Sequence, residues 1–368
     1  MRNRKREWAR DEGWRMLEGA STIQLATRTP EGAPVLRVLD SAVVGDLIVF
    51  HGAVAGEKAQ CVGQPAVVSV HEDVASIPSY FIDPQMACPA TTYYRSVQAH
   101  GTIVELSEPA EKAEALQAFM EHQQPEGGYR PIEAADPLYQ LELKRVRVFG
   151  VRVERVDAKV SIGQDRPAER TRRIAEGLWR RGDPGDTRAL RVVLDASPGA
   201  TPDYLAAAGG LRFVTHPWAN ELEQVPALLS REYWRQDEGL ADIRTSHERS
   251  TAWLGALDGE RLVGVARALS DWVSRATIYD VVVAADVRGR GVGTRLVELL
   301  LAHPALRGCH RVVLSTRDQE RFYERFGFAV VAESSGREGT ESELARSDTA
   351  RSGRSVTMAR LANGPLTT

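Results

Sequence analysis

The chain has 368 residues, a formal net charge of −3 at pH 7, and 43% hydrophobic and 26% charged residues. This length exceeds a typical single domain of roughly 100 to 200 residues, so we expect two domains. A charge so close to neutrality gives no electrostatic reason to bind nucleic acid or an anionic membrane surface, and we expect neither partner.

The cysteines and the apolar runs bear on the cellular compartment. Cys61, Cys88 and Cys309 are odd in number, far apart and outside any CxxC spacing, which argues against a disulfide framework and against a zinc site. The basic residues 1–6 are followed by polar residues, which is not the pattern of a secretory signal. No apolar run approaches the roughly 20 residues that span a bilayer. We therefore expect a cytoplasmic protein.

The first half of the chain reads as short strands. A helical lead at residues 8–18 precedes them, and one helical insert lies at residues 109–122. The predicted strands are 22–27, 34–40, a hairpin-like pair within 43–50, 66–70, 94–106 and 141–156. Many short strands punctuated by Gly and Pro are typical of a small β-barrel.

One stretch of this half has the residue types that bind a phosphate group. A predicted strand ends at His51, and Gly52, Gly56 and Lys58 follow in that order. The glycines leave backbone N–H groups accessible and Lys58 adds an ammonium, as a phosphate monoester requires. A strand-to-helix turn with a solvated lysine explains the same residues equally well.

The HGxxxGxK segment at residues 51–58, together with residues 91–103, resembles the FMN-binding split-barrel superfamily of pyridoxamine phosphate oxidase-like proteins. Its His-Gly-Ala start resembles the nitroimidazole-resistance-type branch. Residues 159–170 are similar to the tail of the FMN-binding negative transcriptional regulator family, although Gly163 and Asp165 replace its Ser and Asn. The resemblance covers about residues 14–182. It implies an N-terminal split β-barrel with FMN bound at the interface of a homodimer.

The same resemblance implies which residues bind FMN. Lys58 and Arg95 would hold the phosphate, and residues 36–39 would run along the isoalloxazine ring. Arg37 could face the phosphate or solvent, and the neighbours Tyr93 and Tyr94 could stack on the flavin or fill the barrel wall. The residues carried over by position are Arg37, Val38, His51, Gly52, Ala53, Lys58, Tyr94, Arg95 and Ser96. Haem is the alternative cofactor, with His51 or His100 as an axial ligand.

The middle of the chain has the composition of a linker. Residues 181–186 and 197–202 are rich in Gly, Pro and Asp, and they bracket an apolar piece at 189–194 that could form a short strand. We predict a first domain at residues 1–182, a linker at 183–210 and a second domain at 211–368.

The second half alternates strands and helices, which predicts a mixed α/β sheet. We predict strands at 211–214, 251–257, 262–269, 278–283, 311–315 and 356–361, and helices at 221–233, from about 292 to 301 and around 323. A polar segment at residues 333–354 reads as a loop before the last strand.

A phosphate site is also indicated where the strand at 278–283 meets the next helix. The turn exposes backbone N–H groups, Gly291 and Gly293 carry no side chain, and the helix adds its positive dipole end. Arginine side chains lie beside these amides at Arg288, Arg290 and Arg295. A dinucleotide-binding fold offers the same strand, turn and helix.

The spacing Arg288-x-x-Gly291-x-Gly293 resembles the pyrophosphate-binding motif of the GNAT family of acyl-CoA N-acetyltransferases. Residues 321–328, RFYERFGF, look like the FYxxxGF signature of that family. The resemblance covers about residues 211–361 and implies a C-terminal α/β GNAT fold that binds acetyl-CoA and a small-molecule amine. The implied acetyl-CoA residues are Val281, Val282, Val283, Arg288, Gly289, Arg290, Gly291, Val292, Gly293 and Thr294.

Two side chains are candidates for catalysis in such a fold. Tyr323 matches the position of the family's general acid, because a phenol of pKa about 10 can protonate a departing thiolate; its alternative role is packing under the helix. Asp280 could be the general base, or it could orient the amine or pair with an arginine. The aromatic residues Tyr233, Trp234, Trp253 and Trp272 could line an acceptor pocket or belong to the core.

These resemblances imply a fusion of two functions. The leading hypothesis is an acetyl-CoA-dependent N-acetyltransferase for a small amine, joined to an FMN-binding, oxidoreductase-like split barrel that forms a homodimer. The alternative is a barrel that senses flavin or haem, or only dimerises, and regulates the transferase as its effector.

Overall fold

The computed structural model describes residues 8–52, 56–206, 210–230, 232–235, 239–331 and 355–361. The chain divides into two compact units: Met1–Pro78 with Ala90–Asp165, and Ser79–Pro89 with Arg166–Thr368. Within the described ranges, no helix is both long enough and apolar enough to cross a membrane.

The first unit is built on one antiparallel sheet of seven strands that curls into a half-barrel. The strands are β1 Thr22–Arg28, β2 Pro34–Asp40, β3 Ala42–Val44, β4 Leu47–Gly52, β5 Pro65–Ile77, β6 Thr91–Leu106 and β7 Arg147–Ser161. Their order across the sheet is β2-β1-β5-β6-β7-β4-β3. Three helices accompany them: α1 Arg10–Glu18, α2 Pro109–Gln123 and α3 Pro137–Arg145. The strand predicted at 141–156 therefore begins late, because residues 141–145 close helix α3.

Alternation of side chains builds the core of this unit. In β1, Ile23 and Leu25 are buried, while Gln24 between them is exposed. They join Val68, Val97 and Phe149 in one apolar cluster on the inner face of the sheet. A period of two residues buries one face of each strand and leaves the other to solvent, as the sequence pattern predicts.

The second unit contains a mixed sheet with helices. Its strands are β8 Arg212–Val214, β9 Ala252–Asp258, β10 Arg261–Ser270, β11 Arg275–Val283, β12 Arg311–Thr316, β13 Ala329–Val330 and β14 Val356–Leu361. The sheet order is β13-β14-β12-β11-β10-β9-β8, and β11 with β12 is its parallel pair. The helices are α4 Ala168–Arg181, α5 Asp186–Ala196, α6 Ala219–Leu229, α7 Leu240–Glu248, α8 Val292–Ala302, α9 Pro304–Arg307 and α10 Glu320–Glu324.

The predicted linker at 183–210 is corrected by helix α5. The apolar piece at 189–194, predicted as a strand, is the buried middle of this helix. Gly182 and Gly185 have φ angles of 70° and 94°. These left-handed residues end α4 and begin α5, so the Gly and Pro content marks a tight turn between helices rather than a flexible connection.

Helix α4 is held in the second unit through its C-terminal end. The Arg307 guanidinium donates to the carbonyl oxygens of Trp179 and Arg180 at 3.0 and 2.5 Å. These carbonyls have no partner within the helix, and a cation at this end also complements the helix dipole. Helices α4 and α5 therefore extend the second unit back to residue 166. The predicted boundary near residues 208–210 lies largely outside the described residues.

A buried histidine lies where α4 meets α9. The His303 ring packs edge-on against Trp179, with 5.6 Å between centroids. Its Nδ1 accepts a hydrogen bond from the Ala305 amide at 3.1 Å, which requires an unprotonated nitrogen. Burial lowers the pKa of His303 to about 3.

We expect the protein to lose stability between pH 7 and pH 5, in part through His303. The pKa of His303 is lower in the folded chain than in the unfolded chain. The unfolded chain therefore binds more protons in this window, and the stability decreases as the pH is lowered. For His303 alone the loss is about 2 kcal/mol over this interval. Thermal denaturation at the two pH values measures it.

A matched pair of variants isolates this contribution. His303→Asn keeps an acceptor at the start of α9 and should shrink the difference between the two pH values. His310→Asn replaces an exposed histidine and should leave the difference unchanged. An identical pH dependence in both variants would contradict the assignment.

Candidate functional site

Strands β11 and β12 diverge in the middle of the second sheet. Their parallel pairing covers only Arg275–Thr277 opposite Arg311–Val313. Strand β11 then continues to Val283 along β10, while β12 pairs with β14. The backbone of residues 278–283 consequently has one open edge, and an extended ligand can add to such an edge by hydrogen bonding.

A β-bulge bends β11 at this point. Arg267 opposes Tyr279 and Val265 opposes Val282, so Asp280 and its successor together face a single residue of β10. Asp280 has a φ of +50°, in the left-handed region of backbone conformations that residues other than Gly rarely adopt. A bulge increases the local bend and twist of a strand. This one lies in the part of β11 that has left β12.

The glycine-rich turn follows the open strand. Gly289 and Gly291 have φ angles of 77° and 80°, and α8 begins at Val292 without a side-chain cap at its N-terminus. A Cβ atom built on Gly289 or Gly291 would meet nothing within 4 Å. The first N–H groups of α8 therefore face open space, as the predicted phosphate site requires.

The three arginines near this turn differ in their contacts. Arg288 donates through Nε to the Val283 carbonyl at 3.0 Å, and Arg290 is exposed. Arg295 instead donates to Glu298 at 2.9 Å and to the Tyr204 carbonyl at 2.8 Å. The guanidinium of Arg295, predicted to supply charge beside the loop amides, is thus already engaged by a carboxylate and a carbonyl.

Helix α10 brings the second predicted motif to the same place. A Cβ atom on Gly293 would lie 3.5 Å from Val283 and 3.8 Å from the Phe322 ring. Tyr323 is buried, and its ring contacts those of Phe322 and Phe328 at 5.0 and 6.0 Å between centroids. The end of β11, the start of α8 and the FYxxxGF segment thus meet. Tyr323 keeps both predicted roles, because packing and proton donation are compatible at this position.

Asp280 lies in a buried polar cluster that the sequence did not predict. Oδ1 accepts from the Trp234 indole at 2.9 Å and from Arg235 Nε at 3.1 Å. Oδ2 accepts from Arg267 Nε and from Arg235 Nη2. His247 Nε2 lies 3.3 Å from Oδ2, and the Trp253 indole donates to His247 Nδ1 at 3.1 Å.

The electrostatics of this cluster decide between the two predicted roles of Asp280. Burial would raise its pKa, but the His247 contact and the Arg235 and Arg267 guanidinium groups outweigh burial and hold the pKa far below its usual range. Burial lowers the pKa of His247, although Asp280 opposes the shift, and His247 Nδ1 is unprotonated because it accepts from the Trp253 indole. The structure supports pairing with arginine and does not support the predicted general base, because the carboxylate is ionised and both oxygens are engaged.

The aromatic candidates for an acceptor pocket lie in different environments. Trp253 is buried in the apolar core, and Trp272 lies in the turn between β10 and β11. Trp234 is 40% exposed beside Asp280. The side chain of Tyr233 lies outside the described structure.

In the first unit, several predicted FMN residues come together at the end of β4. Lys58 Nζ donates to the His51 carbonyl at 2.8 Å, and a Cβ atom on Gly52 would lie 2.8 Å from Lys58 Cε. Arg37 forms an ion pair with Glu57, which brings β2 to the same place. Glu57 was not among the predicted site residues. Ala53 lies outside the described residues.

The remaining predicted FMN residues lie elsewhere in the first unit. Arg95 Nη1 is 3.7 Å from Glu72, and its guanidinium lies over the Trp8 ring. Tyr94 and Ser96 flank Arg95 in β6, and the Tyr94 hydroxyl contacts Lys159. Within the described residues of a single chain, Arg95 and Ser96 therefore do not lie at the same site as Lys58.

The register of β7 accounts for this separation. Gly52 pairs with Arg147 at the start of β7, and Arg95 pairs with Val160 near its end. At about 3.3 Å per residue these positions are roughly 40 Å apart along the strand. Val38 is exposed on β2, next to Arg37.

The two candidate haem ligands have protein partners. His100 Nε2 lies 3.1 Å from Asp157, and His51 packs edge-on against Phe119. In the part of the chain that the structure describes, no cluster of three or more His, Cys, Asp or Glu side chains could hold a metal ion.

An open strand edge, an uncapped glycine turn and a buried tyrosine are the features expected of an acyl-CoA N-acetyltransferase fold in the second unit, and the first unit has the curled sheet of a split barrel. Comparison with known proteins agrees with both halves. Residues 9–160 match the pyridoxamine 5'-phosphate oxidase family and residues 215–328 match the acetyltransferase (GNAT) family. The chain belongs to the GNAT family through its second unit, and its first unit is a pyridoxamine 5'-phosphate oxidase-like domain. Both predicted folds are confirmed.

The relatives match parts of the chain. Glucosamine 6-phosphate N-acetyltransferase 1 of Oryza sativa subsp. japonica is 33% identical over 114 residues, which are 30% of this chain and 69% of the relative. Histone acetyltransferase TAP1 of Glycine max is 37% identical over 90 residues, 24% of this chain and 37% of the relative. The FAD and heme binding protein from Mycobacterium smegmatis is 20% identical, with a TM-score of 0.36 over 43% of this chain and 73% of that protein.

Proposed function

We propose that the second unit transfers an acetyl group from acetyl-CoA to a small amine. The observation that carries this proposal is the opening between β11 and β12, which ends at the uncapped N-terminus of α8. The pantetheine arm would pair with the open edge of residues 278–283, and the pyrophosphate would accept from the amides of residues 288–294.

The residues of the opening have separate roles in this reaction. The neutral amine attacks the thioester carbonyl, so that a C–N bond forms and the C–S bond breaks. A backbone N–H of Val282 or Val283 donates to the carbonyl oxygen as negative charge develops there. Tyr323 gives its phenolic proton to the departing sulfur. The proton of the amine leaves to solvent, because Asp280 does not accept it.

The direct test is a screen of small amines with acetyl-CoA, followed by thiol release and by mass spectrometry of the products. Calorimetry with coenzyme A tests the binding step by itself. Binding with acetylation of at least one amine supports the proposal. No heat of binding and no thermal shift at saturating coenzyme A would refute it.

The contacts of the arginines predict unequal effects on coenzyme A binding. Arg290→Ala removes an exposed cation beside the loop amides and should raise the Kd for coenzyme A by about tenfold at low salt, and by less at high salt. Arg295→Ala is the matched control, because its guanidinium already contacts Glu298 and the Tyr204 carbonyl. Calorimetry at two salt concentrations measures both, and an equal loss in the two variants would contradict the assignment.

Tyr323→Phe removes only the hydroxyl that we assign to proton donation. We expect turnover to fall by about one to several orders of magnitude, with little change in the affinity for acetyl-CoA. Tyr204→Phe is the control, since Tyr204 is another tyrosine of the same unit and its hydroxyl has no hydrogen-bond partner in the described structure. Steady-state thiol release distinguishes them, and unchanged turnover in Tyr323→Phe would remove this residue from the mechanism.

We propose further that the first unit binds FMN as a homodimer. The Lys58 ammonium would bind the phosphate beside Gly52 on leaving the His51 carbonyl, and the lack of a side chain at Gly52 is what lets Lys58 lie there, since a Cβ atom would be 2.8 Å from Lys58 Cε. Arg37 would join it on exchanging Glu57 for the phosphate. Bound FMN would supply hydride-transfer chemistry.

The second copy is needed to complete this site. Arg95 and Ser96 of β6 pair with the end of β7, whereas Gly52, which lies beside Lys58, pairs with its start, so a partner's strand would have to bring Arg95 and Ser96 to Lys58. Strand β2 is an edge of its sheet and carries Leu36 and Val38, which are 64% and 69% exposed. An apolar edge of this kind suits pairing with a second copy.

Mixing two inactive variants tests the shared site. Lys58→Met and Arg95→Met should each abolish FMN binding, whereas equal mixing through reversible unfolding should restore about one site in four, because one site of each heterodimer is intact. Flavin absorbance after gel filtration measures the recovery, and light scattering gives the oligomeric state. No recovery in a mixture that is dimeric, or binding by either variant alone, would contradict the proposal.

A further inference from the structure

The segment between α6 and α7 is fastened to the open strand. It includes a short 3-10 turn, Tyr233–Arg235. Glu232 lies 3.7 Å from Arg288 in the glycine-rich turn. The Trp234 indole and the Arg235 guanidinium both donate to the Asp280 carboxylate in the bulge. One side of the opening therefore joins residues that are distant in sequence, and two of them share one buried carboxylate.

We propose that Asp280 is a positioning residue that fastens Trp234 and Arg235 to the open strand and so forms the wall of the acceptor site. The inference rests on the proposed acetyl transfer, because it assigns a role within the same opening. It also names the residue that contacts the acceptor, namely Trp234.

The exposure of two aromatic rings supports this assignment. Trp234 is 40% exposed although its indole N–H is fixed by Asp280, and Tyr279 is 39% exposed on the neighbouring residue of β11. The Arg267 guanidinium lies 4.8 Å from the Tyr279 ring centroid. Two partly exposed rings thus flank the buried carboxylate where β11 has left β12. Such rings offer apolar contact to the carbon skeleton of an amine.

The groups that surround Asp280 explain why it positions rather than reacts. The 3-10 turn contributes Trp234 and Arg235, α7 contributes His247, and β10 contributes Arg267. Protonation of Asp280 would leave the guanidinium groups of Arg235 and Arg267 facing a neutral partner in a buried site, which is costly. The carboxylate therefore stays ionised throughout the working pH range.

Asp280→Asn separates positioning from proton transfer. The amide keeps the shape but weakens the hold on Arg235 and Trp234, so the KM for the amine should rise by about tenfold or more while kcat changes less than about threefold. The pH profile of kcat/KM should keep its shape, and the Kd for coenzyme A should not change. A general base would show the opposite: kcat would fall by orders of magnitude with the acid limb altered, and this would overturn the proposal.

Trp234→Phe tests the same contact without disturbing the buried charges. It removes the indole N–H while Asp280 retains both arginines, and it should raise the KM for the amine by about threefold. In the Asp280→Asn background the same change should add nothing, because the contact is already lost. Full additivity of the two effects would show that Trp234 acts independently of Asp280.

Asp271→Asn is the control for a purely structural effect. Asp271 lies in the same β10–β11 hairpin and accepts from the amides of Val273, Ser274 and Arg275. Its replacement should lower the thermal denaturation temperature and leave the KM for the amine unchanged. A KM increase as large as that of Asp280→Asn would mean that any weakening of the hairpin suffices, and would count against a specific role.

A measurement without turnover keeps this inference separable from the proposed function. Acrylamide quenching of Trp234, obtained as the difference between the chain and its Trp234→Phe variant, should increase about twofold in Asp280→Asn as the segment loosens. If the wild-type chain acetylates no amine but the quenching changes, the proposed function fails and the fastening stands. If acetylation occurs and the quenching is unchanged, the fastening is refuted.

Discussion

The ionised Asp280 carboxylate is the contact on which the proposed acceptor wall depends. It holds a residue in the left-handed region inside a strand, and it balances guanidinium groups that would otherwise be buried without a counter-charge. The energetic value of such a cluster lies less in net stability than in the cost of removing one member. The Asp280 side chain consequently connects the bulge of β11 to Trp234 and Arg235.

The site depends on backbone geometry more than on a dense set of side chains. The divergence of β11 from β12 provides an unpaired strand edge, and the glycine turn provides unpaired amides at the start of α8. These groups are fixed by the sheet before any ligand arrives, so little ordering is required on binding. In the proposed reaction, side-chain chemistry is then concentrated at Tyr323 and at the acceptor wall.

The sequence predicted the strand, the turn and the second motif because each is local. It could not show the state of Asp280, since Arg235, His247 and Arg267 come from three other elements. One signal was nevertheless present: Arg267 lies in the otherwise apolar run of β10, and a charge in a buried strand requires a partner. Aligning the two strands of this hairpin places Arg267 opposite Tyr279, beside Asp280. The linker prediction failed for a different reason, because Gly and Pro mark tight helix turns as well as flexible segments.

The first unit shows where a motif carried over by position stops being informative. Lys58 and Arg95 belong to one set of predicted phosphate ligands, yet Gly52, which lies beside Lys58, pairs with the start of β7, and Arg95 pairs near its end. A motif specifies which residues contact a ligand but not which copy of the chain supplies each one. Since strand registers fix these distances within a chain, the proposed FMN site requires residues from two copies. The same reasoning explains why β2 can leave two aliphatic side chains in solvent, since in a dimer this edge would be covered.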